Sequence, residues 1–60
     1  SQSKYWMYET INEQLKAHFY QNEEIKQLLE VSEKQVLSNE LSSFIAAKKM
    51  LDNYFGEKFE

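Results

Sequence analysis

His18 is the single imidazole in a 60-residue chain that contains no cysteine. A metal site or a nucleophile–base pair needs more ligands, or a base partner, than one imidazole supplies. His18 stands beside Phe19 on the inward side of a helical pattern, and it is expected to be a structural residue with one hydrogen bond. No serine lies in a Gly-x-Ser-x-Gly turn, the arrangement that exposes a nucleophilic hydroxyl. Ser38, Ser42 and Ser43 fall where helix caps belong. Glu23 and Glu24 are adjacent, so on a helix they diverge by about 100° and cannot share a proton or a metal. Glu9 and Glu13 share a face at four-residue spacing, but no other ligand type converges on them, and a solvated face explains them. A phosphate-binding loop needs several glycines and a Lys-Ser/Thr pair, whereas the single glycine here is Gly56. The expected catalytic, cofactor-binding and metal-ligating residues of the chain itself are therefore none.

Composition narrows the remaining classes. The formal net charge is −3, and all seven basic residues are lysines alternating with acids. Nucleic-acid binding calls for a basic face rich in arginine, so no nucleic-acid partner is expected. No apolar run exceeds the four residues of Phe44 to Ala47, far short of the roughly 20 that span a bilayer. No basic start followed by an apolar stretch marks a signal peptide. The expectation is a soluble cytoplasmic protein with no membrane partner. Yet hydrophobic residues make up 42% of the chain, too many for an ordinary disordered tail. A chain this short buries only about 60% of its unfolded surface, and it has no disulfide to help. It must pack its helices well, associate, or lean on further sequence.

The elements that would carry such packing are helices. Proline is absent, glycine is confined to position 56, and apolar residues recur at three- and four-residue steps. The pattern predicts an all-α, three-helix domain with helices at about 3–20, 23–38 and 43–55. Short connections should make sequential helices antiparallel neighbours, with scope for a longer first helix to act as a dimer arm. In the first helix, Met7, Ile11, Leu15 and Phe19 share one side. Trp6 points nearly opposite Leu15, towards the side of Ala17 and Tyr20. Asn22 can cap the second helix, and Glu23 and Glu24 suit its positive start. Ser38-Asn39 should end that helix, since asparagine tolerates the left-handed conformation. Ser42 or Ser43 can cap the third, and Gly56 can end it. The expected core is Met7, Ile11, Leu15, Phe19, Ile25, Leu29, Val36, Ala47, Leu51 and Phe55.

One string of residues is more specific than its composition. Trp6-Met7, Ile11, Leu15, His18-Phe19, Leu29, Glu33, Val36, Leu41-Ser42, Ala46-Ala47 and Leu51 follow in that order. The order and spacing resemble the C-terminal helical segment of the MeaB/ArgK family of P-loop GTPases (the LAO/AO transport ATPase-like, MMAA-like proteins). The likeness runs from about Lys4 to Phe55. Asn39 stands where that family prefers glycine, Ser43 where it often has proline, and Met50-Leu51 in place of paired leucines. The resemblance implies a parent GTPase that chaperones an adenosylcobalamin-dependent acyl-CoA mutase such as methylmalonyl-CoA mutase. It implies that the C-terminal helices serve dimerisation, and that GTP and magnesium are held by a domain outside this chain.

Two readings follow. In the first, the chain is a non-catalytic homodimerisation segment of such a GTPase, with Trp6, Ala17 and Tyr20 as candidate dimer or interdomain contacts. In the second, it is a monomeric three-helix adaptor that binds a helix or peptide in an apolar groove.

Overall fold

A computed structural model describes residues 2–56. They form three helices, α1 (Gln2–Gln21), α2 (Glu23–Leu37) and α3 (Ser43–Phe55), with no strand among the described residues. The all-α expectation holds, and the boundaries agree with the sequence reading to within a residue at each end.

Local chemistry explains each boundary. Asn22 is the entire link between α1 and α2. Its extended backbone (φ −65°, ψ 126°) turns the chain, and its Oδ1 accepts a hydrogen bond from the Ile25 amide at 3.0 Å. One of the amides that a helix start leaves unpaired is thereby satisfied. At the end of α2 the Glu40 amide donates to the Gln35 carbonyl (2.8 Å) and the Asn39 amide to that of Val36 (3.1 Å). Together with Asn39 at φ 64°, this is a Schellman closure, with asparagine in the left-handed position glycine usually fills. Of the two candidate caps for α3, Ser42 is the one used: its Oγ accepts from the Ile45 amide at 3.1 Å. Gly56 ends α3 at φ 73°.

α2 and α3 form an antiparallel hairpin. Asn53, near the end of α3, donates through Nδ2 to Glu24 Oε2 at the start of α2 (3.3 Å). At the other end, Val36 and Leu37 border the same groove as Ser43. Among the described residues, those that are buried all belong to this hairpin: Ile25, fully buried, with Ser32 and Ala46. Ser32 and Ala46 are small and border the same seam, so the two backbones can approach closely there.

The arrangement corrects the expected core. Ile25 is buried, and Phe19, Leu29 and Val36 are half-buried. Met7, Ile11 and Leu15 are exposed, as are Ala47, Leu51 and Phe55. In α1 the reason is reach. Twenty residues of helix extend about 30 Å, and only the last turns meet the hairpin. From Gln2 to Gln14 no residue except Glu9 is even half-buried. In α3 the reason is rotation. The helix turns Ala46, Met50 and Tyr54 inward, one position before the expected Ala47, Leu51 and Phe55. The latter set borders the cleft between α3 and the end of α1.

Candidate interaction surfaces

The start of α1 carries Tyr5, Trp6, Met7 and Tyr8 at four consecutive positions, each more than half exposed. At about 100° per residue, four neighbours wrap nearly round the helix. One turn of α1 therefore offers apolar surface on every side, between polar residues at Gln2–Lys4 and Glu9–Thr10. Ile11 and Leu15 continue the belt along one side. On the opposite side Trp6, 62% exposed, lines up with Ala17 and Tyr20, both also exposed. The Trp6 ring touches that of Tyr5, edge-on at 5.2 Å, and that neighbour lies on the same helix. The three candidate contact residues thus share an open face, with Trp6 about 16 Å along the helix from Ala17.

Size supports the same reading. The chain has a radius of gyration of 14.2 Å and extends 44 × 23 × 20 Å, against a radius of about 10 Å for a compact domain of its length. Its accessible surface is 5390 Å², where a compact monomer of 7.2 kDa exposes about 4,100 Å². The excess exceeds the roughly 800 Å² that each partner contributes to an ordinary stable interface.

A second apolar surface lies on the hairpin. A groove of about 340 Å³ runs between α2 and α3, bordered by Leu29, Val36, Leu37, Ala46, Ala47 and Met50. Phe44, at 87% exposed, is the most open large apolar side chain described.

His18 lies at the elbow between α1 and the hairpin. Its Nδ1 is hydrogen-bonded to the Tyr54 hydroxyl, which supplies the one hydrogen bond expected of it, although the residue is exposed and not inward. Its partner is 36 residues away, so nothing local in the sequence signals the pair. Phe19 packs edge-on against Tyr54 at 5.0 Å. Among the described residues no group of three His, Cys, Asp or Glu side chains is placed to hold a metal ion. No described helix is long and apolar enough to cross a membrane. The chain's one glycine caps α3, and no glycine-rich loop precedes a Lys-Ser/Thr pair. The Lys26–Glu23 ion pair, at 3.4 Å and well exposed, adds little to stability.

No family model, no curated protein and no solved structure matches this chain.

Proposed function

We propose that this chain is a non-catalytic association element whose first helix is an arm that self-associates. The observation that carries the reading is the arm itself, α1 with an apolar belt at Tyr5–Tyr8 and no buried residue. Apolar surface of this extent is favourable to remove from water, and aromatic residues are the types that concentrate at interfaces. The finer reading is the C-terminal dimerisation domain of a MeaB-like GTPase, in service of an adenosylcobalamin-dependent acyl-CoA mutase. It rests on the order and spacing of Trp6-Met7, Ile11, Leu15, His18-Phe19, Ala46-Ala47 and Leu51. In that reading the mechanism is structural: paired arms hold two GTPase domains in a fixed relation, while GTP and magnesium stay with those domains.

Sedimentation equilibrium over a wide concentration range tests the association. A concentration-dependent rise to twice the chain mass is the expected result, and a monomer at every concentration overturns it. The finer reading has its own test in the gene. A phosphate-binding-loop motif some two hundred residues upstream of Ser1 is expected, and an upstream region without one removes the GTPase assignment.

The groove between α2 and α3 favours a second reading, a monomeric adaptor that takes an apolar helix or peptide. That reading gains if the chain stays monomeric.

A further inference from the structure

We infer that Tyr54 clamps the elbow of the molecule and so fixes the direction of the α1 arm. The arm is tied to the hairpin by a single linking residue, Asn22, and the side chain of that residue is already engaged in capping α2. A one-residue link sets where α1 ends but leaves backbone torsions that decide where its far end points. What restrains those torsions is an aromatic cluster from both sides of the elbow. The Tyr54 hydroxyl is hydrogen-bonded to His18 Nδ1. The Tyr54 ring also meets the rings of His18 at 5.9 Å and Phe19 at 5.0 Å, both edge-on. Phe55 packs edge-on against Tyr54 at 5.0 Å, and Tyr20 likewise against Phe19 at 5.0 Å. Such edge-to-face contacts have a preferred geometry, unlike aliphatic contacts. They hold an angle as well as a distance.

The consequence grows along the arm. Trp6 lies thirteen residues, or about 20 Å of helix, from Phe19. A swing of about 10° at the elbow moves Trp6 by about 3 Å, enough to lose the 3.5–4.0 Å contacts on which apolar packing depends. His18 and Tyr54 are therefore positioning residues for whatever the arm touches. The clamp itself is independent of whether the chain self-associates.

The chain has no cysteine, so two spin labels can be placed cleanly at Lys4→Cys on α1 and Lys34→Cys on α2, both exposed positions. Electron–electron distance measurements, with the labelled chain diluted into unlabelled chain, read the intrachain separation alone. A single narrow distribution is expected for the parent. His18→Ala removes the hydrogen bond and one ring contact while raising helix propensity, and it should broaden the distribution by several Å at unchanged helical circular dichroism. Tyr54→Phe keeps the ring against Phe19 and should broaden it less. A broad parent distribution, or a His18→Ala distribution as narrow as the parent's, overturns the clamp. If His18→Ala loses helicity, Tyr54→Phe decides alone: broadening upholds the clamp and an unchanged distribution rejects it.

Discussion

Replacing Trp6 with alanine separates association from folding. Trp6 is 62% exposed, which for a side chain of its size leaves about 150 Å² open to water. At about 25 cal/mol per Å², complete burial of that area in an interface contributes roughly 3–4 kcal/mol. Alanine retains part of the contact and burial is rarely complete, so about 2 kcal/mol per chain is the working figure for an aromatic anchor. In a symmetric dimer both chains carry the change. The dissociation constant should then rise by about two to three orders of magnitude. Within the chain, the ring of Trp6 packs on Tyr5, its immediate neighbour. The bond that Thr10 donates to position 6 goes to the backbone carbonyl and survives the substitution. The dilute monomer should accordingly melt within a few degrees of the parent. Sedimentation equilibrium supplies the dissociation constant, and circular-dichroism melts below that constant supply monomer stability. Unchanged association would sink the assignment of this face. A monomer melt that falls in step with association would place Trp6 in the intrachain fold instead.

The remaining predictions concern the hairpin. Ile25→Ala should cost about 2–5 kcal/mol in urea denaturation because Ile25 is fully buried, and Leu51→Ala clearly less, about 1–2 kcal/mol, since Leu51 is 39% exposed; equal losses would contradict the observed rotation of α3. Asn22→Ala deletes the acceptor for the Ile25 amide and should destabilise by about 1 kcal/mol, with faster hydrogen exchange at that amide; protection equal to the parent's would exclude a working cap. Asn39→Gly relieves a left-handed asparagine at φ 64° and should stabilise by several tenths of a kcal/mol, up to about 1. A small rise in melting temperature is the expected readout, and a fall would mean that the asparagine side chain contributes more than its backbone costs.

Much of this molecule is written in its sequence because the signals are local. Asn22, Ser42 and Gly56 start or stop helices through bonds to residues three or four positions away. Asn39 closes α2 through carbonyls within the last turn. With no proline, and with glycine only at the end, nothing interrupts the helices between those signals. The oddity of Trp6 was equally legible, since a tryptophan opposite the apolar stripe of its own helix cannot face the same neighbour as that stripe.

What the tertiary structure decided is which apolar residues find partners. α3 has apolar side chains at Phe44, Ile45, Ala46, Ala47, Met50, Leu51, Tyr54 and Phe55, a stripe so broad that two rotations satisfy it equally. The choice of Ala46, Met50 and Tyr54 as the inward set depends on where Ile25 and Ser32 of α2 stand. The stripe of α1 has a correct period, yet Met7, Ile11 and Leu15 remain exposed. Periodicity tells which side of a helix is apolar, not whether anything is long enough to cover it. The pairing of His18 with Tyr54 lies still further from the local sequence. It exists because α1 and α3 both end at the elbow, and only the folded path of the chain brings those two ends together.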